Sequence, residues 1–176
     1  TIKDILVQNN ISAKDLSAVA IGIGPGSFTG LRIGFSVAKG LCYPHKINLI
    51  GISSLKILAN SIKADSGDIV SMINDKGNFY YLSTFEDKLN EVGNPILEQV
   101  DPNFIKKYIK DGSTIVVNSE DSFNYISTTI NDQIKLINKS ISSINMIDLS
   151  YESFLEKRFE DLAYCEPLYI KKPYVN

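Results

Sequence analysis

The first periodic signal along the chain is short. Ile2, Ile5 and Leu6 recur at helical spacing and stop at Asn9-Asn10, so the sequence opens in a helix that closes in a turn. Ser12 offers an N-cap for one further turn. Residues 17–24, SAVAIGIG, are almost wholly apolar and end at Gly-Pro. A run of that length without alternation predicts a strand covered on both faces, as in a parallel sheet. A helix over 28–43, a strand at 47–52 and a helix at 53–63 follow. This alternation of strand and helix predicts an α/β layer.

The rhythm changes at ADSGD, residues 64–68. Beyond it, DIVSMIN and FYYLSTFE are two β-rich runs joined through Lys76-Gly77-Asn78, which reads as a hairpin. A strand at 95–100 comes next, then a helix capped by Asp101 with Pro102 at its first position. A strand at 113–118, a helix near 120–131 opened by Ser119, a strand at 134–137 and a helix over about 146–162 complete the set. The pattern predicts two α/β units, 1–65 and 66–176, with the C-terminal helix and tail of the second as candidates to pack back on the first.

Between the first strand and its helix lies GIGPGSFTGLRIG, residues 22–34, with five of the chain's eleven glycines. Pro25-Gly26 fits the middle of a type II turn with positive φ at Gly26. Gly24, Pro25 and Gly26 thus turn the chain, and Ser27 or Thr29 caps the helix. At 100° per residue, Arg32, Ser36 and Lys39 share an arc of about 60°. Gly30, Gly34, Val37 and Leu41 form one apolar face, and Leu31, Phe35, Ala38 and Cys42 another. The apolar arc is roughly 220° wide, against the ~100° that covering one sheet requires. Such a helix is buried on two sides, either within its own domain or against a second subunit. For the second case the candidate contact residues are Phe28, Gly30, Leu31, Ile33, Gly34, Val37, Ala38 and Leu41. Gly30 and Gly34 would form a notch for a partner helix, so Gly34→Leu is expected to block association and spare the fold.

The same glycines invite a phosphate-cradle reading. A Walker A sequence needs Lys and Ser/Thr after its second glycine, where this chain has Leu31 and Arg32; the dinucleotide spacing also fails after Gly22, Gly24 and Gly26. Ser27 lies in PGSFT rather than in a nucleophile elbow, and its base would have to be the sole histidine, His45, in a polar turn. One histidine and two separated cysteines supply no zinc site. No catalytic residue and no metal ligand is therefore assigned.

Composition narrows the class. At 176 residues, 44% hydrophobic and 22% charged, the chain has the makeup of a globular protein. Its 18 basic and 20 acidic side chains leave no cationic surplus for autonomous nucleic-acid binding, so any RNA is expected to be held by another subunit. Cys42 and Cys165 lack CxxC spacing and read as reduced thiols. No apolar run approaches the ~18 residues of a membrane span and no signal peptide opens the chain, so the cytoplasm is the expected compartment.

GPGSFTGLRIGFSVAKGL (24–41) closely resembles the signature of the bacterial tRNA threonylcarbamoyladenosine biosynthesis family TsaB, also called YeaZ. INLIGISSLKILA (47–59), KGNFYY (76–81) and AYCEPLYIK (163–171) are similar to that family's strand and helix, hairpin and C-terminal ending. The resemblance implies an α/β, actin-like ATPase fold with two RNase H-like lobes. It also implies a non-catalytic partner of TsaD, the paralogue that transfers a threonylcarbamoyl group to the adenosine beside the anticodon. TsaD and the small ATPase TsaE are the implied partners, with a homodimer as a further form and tRNA contacted indirectly. ATP is used by the assembled complex, and no cofactor is expected on this chain alone. The implied interface is the glycine-rich helix.

Two departures stand out. Family members open with a strand and hairpin before the first helix, whereas this chain starts at Thr1 inside that helix, so the first lobe is expected to be incomplete at its N-terminus and its strand 17–24 to have an open edge. The segment at Asn74-Asp75 is shorter than the family's and lacks its arginine, so no role is carried over to that pair. A reading from another class is an ATP-binding, phosphotransferase-like enzyme of the same superfamily, which would need paired carboxylates around a metal.

Overall fold

The computed structural model describes residues 1–62 and 67–170. Helix α1 (Ile2–Gln8) begins with a reciprocal cap, in which the Thr1 hydroxyl accepts from the Asp4 amide and the Asp4 carboxylate answers the Thr1 ammonium. Strands β1 (Ala18–Gly24) and β2 (Asn48–Ser53) run parallel, with Val19 opposite Leu49, and are linked through helix α2 (Phe28–Cys42). Helix α3 (Ser54–Ala59) follows directly.

A second sheet has five strands: β3 (Ile69–Lys76), β4 (Phe79–Glu86), β5 (Asn90–Gln99), β6 (Thr114–Val117) and β7 (Lys135–Asn138), in the order β5-β4-β3-β6-β7. The first three form an antiparallel meander, and β6 and β7 continue the sheet in parallel. Helix α4 (Pro102–Tyr108) precedes β6, α5 (Glu120–Ser127) links β6 to β7, and α6 (Ile147–Leu155) comes last. Asp101 and Ser119 cap α4 and α5 by accepting from the amides of Phe104 and Ser122. The predicted break at 64–68 and the division at 65 fall around residues 63–66, outside the described residues, as does the last residue of the 163–171 ending.

Several boundaries differ from the sequence pattern. β5 begins at Asn90 rather than at 95, because an edge strand tolerates Pro95, whose missing donor needs no partner. α3 stops at Ala59, short of 63, where the Asn60 side chain donates to the Asn145 carbonyl at 2.8 Å and the Ser61 hydroxyl to that of Leu58 at 2.6 Å. α5 stops at Ser127, short of 131, and the hydroxyls of Thr128 and Thr129 take the carbonyls of Tyr125 and Ile126. α6 ends at Leu155 rather than near 162, with Lys157 beyond it in the left-handed region at φ 57°.

Burial explains how the sheets are held together. One face of the five-stranded sheet buries Val70, Met72, Tyr80, Leu82, Ile115 and Val117 against Ile105 and Ile126 of α4 and α5. Each such side chain contributes about 1.5–3 kcal/mol. The other face sets Ile69, Ile73, Phe85 and Val116 against Leu55, Leu58 and Ala59 of α3. Ile57 of the same helix packs with Ile50 and Ile52 of β2 and Leu149 of α6. α3 is therefore wedged between the sheets through Leu55, Ile57, Leu58 and Ala59. The C-terminal segment returns to the first sheet, where the Glu160 amide donates to the Leu49 carbonyl at 2.8 Å and the Leu168 amide to that of Ile23 at 2.7 Å.

Candidate functional site

The turn after β1 is tighter than its sequence implies. The Gly24–Pro25 peptide is cis, and the positive φ, 107°, falls on Gly24 rather than on Gly26. This corrects the type II expectation. The crowding explains the glycine, since a Cβ on Gly24 would lie 2.9 Å from Leu31 Cδ1 and 3.2 Å from the Leu168 carbonyl oxygen of the returning C-terminal segment. Gly26 stands in open space. Ser27 caps α2 by accepting from the Gly30 amide at 3.3 Å, whereas Thr29 is exposed and caps nothing.

Helix α2 meets its own sheet with Ala38 and Cys42, which pack around Ile47, Leu49, Val19 and Ile21, and Phe35 of the same helix is also buried. Ala38 is only 5% exposed, so it belongs to the internal core and cannot meet a partner. Gly34 also turns inward, because a Cβ there would lie 3.4 Å from Ile21 Cδ1 of β1. The expected notch is thus divided: Gly34 lets α2 settle on its own strand, while Gly30 borders a cleft. Leucine at 34 would strain the fold itself. Leu31 and Leu41 are half-buried. What remains uncovered is Phe28 at 50%, Ile33 at 60% and Val37 at 47% exposure, three large apolar side chains on one helix.

The cleft beside α2, of about 930 Å³, lies between the two sheets. One wall is the stretch from Pro25 to Arg32 with Ser54, Leu168 and Tyr169; the other is Ile73, Asn74, Asp75, Tyr81 and Asn118. Phe28 rests against the Tyr169 ring at 5.5 Å and carries the Arg32 guanidinium 4.6 Å above its own ring. Asn74 braces the hairpin by donating to the carbonyls of Gly77 and Phe79, and the Tyr81 hydroxyl donates to Asp75 at 3.1 Å. Ser54 and Asn118 enter opposite walls of this cleft without any sequence signal, since only the packing of the two sheets brings them together.

Ser27 and His45 stand near opposite ends of α2, roughly 20 Å apart by the helical rise, so they form no catalytic pair. His45 sits on an exposed turn. Cys42 and Cys165 are free thiols in one apolar cluster, and burial, followed by the neighbouring Cys165, pushes the Cys42 thiol up from its ordinary value.

Residues 1–173 match the family described as TsaD: tRNA N6-adenosine threonylcarbamoyltransferase. The tRNA threonylcarbamoyladenosine biosynthesis protein TsaB of Escherichia coli is 41% identical over 66 residues, covering 38% of this chain and 29% of that protein. The protein of the same name from Bacillus subtilis is 31% identical over 102 residues, covering 58% of this chain and 42% of that one. The alignments thus span less than half the length of these curated relatives. The solved structure of YeaZ from Pseudomonas aeruginosa aligns with a TM-score of 0.80 at 18% identity, over 96% of this chain and 81% of that one. That likeness carries the fold, which is a mixed α/β, RNase H-like architecture of two lobes.

Proposed function

The chain belongs to the family described as TsaD: tRNA N6-adenosine threonylcarbamoyltransferase, as a TsaB/YeaZ-type member, and from that premise we propose that it is a non-catalytic subunit supporting a TsaD-type transferase. Its product is threonylcarbamoyladenosine in tRNA, the compound that the curated relatives' names carry. The observation behind this reading is the uncovered apolar pair Ile33 and Val37, one turn apart on the face of α2 opposite the buried Phe35, Ala38 and Cys42. Large exposed apolar groups gathered on one rigid element mark a protein contact. The TsaD-type subunit is the occupant of that face, with Leu41 at its margin, whereas Leu31 turns to the cleft and to Gly24. A TsaE-like ATPase and a homodimer are further associations of the same subunit. ATP is consumed in the assembly, tRNA is gripped mainly by the partner, and the cytoplasm is the compartment.

Co-elution tests it. Mixed with a TsaD-type transferase, the chain is expected to form a stable complex by size and mass, and Ile33→Asp with Val37→Asp to abolish it while both proteins stay folded. A complex that survives the double variant at unchanged affinity would refute the assignment of this surface.

A further inference from the structure

We infer that α6 is a second docking surface, which takes an amphipathic helix of another protein that carries lysine or arginine beside its apolar ridge. Ile147, Tyr151 and Leu155 recur every four residues along α6, and Ile144, in the 3-10 turn that leads into it, extends the row. Each of the four is between 59% and 69% exposed. At 100° per residue the row lies roughly 180° from the buried Leu149 and Ser153. Leu149 seats the helix on Ile50 and Ile52 of β2, so the chain's own sheet cannot cover the row as well. A continuous ridge of large apolar side chains at this spacing is what a partner helix packs against.

Charge selects the occupant. Asp148, Glu152 and Glu156 form a second row of the same spacing, directly beside the apolar one, and all three are exposed. Arg158 answers two of them, at 2.7 Å from Glu156 and 3.8 Å from Glu152, so one cation serves two carboxylates. Asp148 is in no ion pair among the described residues. Residues 148–166 carry six acidic and two basic side chains in all. A second copy packed antiparallel across a two-fold axis would set this acidic row against its own like, which is unfavourable. An anionic lipid surface is repelled for the same reason. A helix with basic residues flanking its apolar ridge satisfies both rows at once.

This surface is separate from Ile33 and Val37. β2 turns Leu49 toward the cluster under α2 and Ile50 and Ile52 toward the cluster under α6. Alternate residues of a strand point to opposite faces, so the two helices cover opposite sides of the two-stranded sheet. A partner on α6 therefore displaces nothing from α2.

Fluorescence anisotropy with two labelled peptides tests the surface. Both are amphipathic helices of about 18 residues, long enough to hold a helix, one built of leucine and lysine and the other of leucine and glutamate. The leucine–lysine peptide should bind saturably, and the leucine–glutamate peptide about tenfold more weakly or not at all. Tyr151→Asp with Leu155→Asp should weaken the first peptide about tenfold or more, the effect of removing central apolar anchors. Asp148→Lys with Glu152→Lys should shift the preference toward the glutamate peptide, and Ile33→Asp with Val37→Asp should leave both affinities unaltered. Thermal melts establish that each variant is folded. The inference fails if neither peptide binds saturably, if the two bind equally, or if the folded Tyr151 and Leu155 variant keeps full affinity. Sedimentation supplies the last arm: a dimer of the chain that Tyr151→Asp with Leu155→Asp dissolves would give the surface to a second copy and overturn the assignment.

Discussion

The units β1-α2-β2 and β6-α5-β7 are built alike, two parallel strands joined through a helix, yet they are finished differently. All four residues of β6 are buried, and the outward positions of α5 are Glu120, Asp121, Asn124 and Ser127. Of β1 only Gly24 is buried, and the outward positions of α2 include Phe28, Ile33 and Val37. β6 has β3 on one side and β7 on the other, whereas among the described residues β1 pairs with β2 alone. The five-stranded sheet is a closed core. In the smaller unit, by contrast, large apolar side chains of α2 stay exposed.

Substitutions can break this contrast in order of expected size. Ile115→Ala in β6 should cost about 2–5 kcal/mol in denaturant unfolding, since a fully buried side chain leaves a cavity that surrounding strands cannot close. Gly34→Leu should cost about 1–3 kcal/mol, because the added atoms press on Ile21 and lift α2 from β1. An unchanged melting curve for Gly34→Leu would return that glycine to the partner-facing surface. Ile33→Asp with Val37→Asp should alter the stability of the isolated chain by no more than about 0.5 kcal/mol per site, although it removes the partner. The smallest effect concerns pH. Burial raises the folded Cys42 thiol above its ordinary 9.0, so this group leaves stability unchanged below pH 9 and lowers it as pH rises from there toward the folded value. In Cys42→Ala the alkaline fall, followed by circular dichroism, should be shallower.

Much of this was legible along the chain. The order of strands and helices, the hairpin at Lys76-Gly77-Asn78 and the caps at Ser27, Asp101 and Ser119 follow from local preferences, and the structure has each of them. Helix ends were less legible. α3 and α6 stop where a side chain or a left-handed residue intercepts the backbone, and their sequences continue in helix-compatible residues. The candidate surface was legible only as an arc. A helical wheel finds that α2 is apolar on two sides but cannot say which side its own strand takes, so Gly34 and Ala38 appeared beside Val37 on a surface they do not share.

By itself, then, the sequence determined the α/β alternation, the turn after β1 and an α2 too apolar for one sheet, because these depend on residues within a few positions of each other. Only the tertiary structure decided which glycine bears the positive φ, which face of α2 stays open and that Ser54 and Asn118 border one cleft. Each of those depends on contacts between segments distant along the chain, as where Leu168 crowds Gly24.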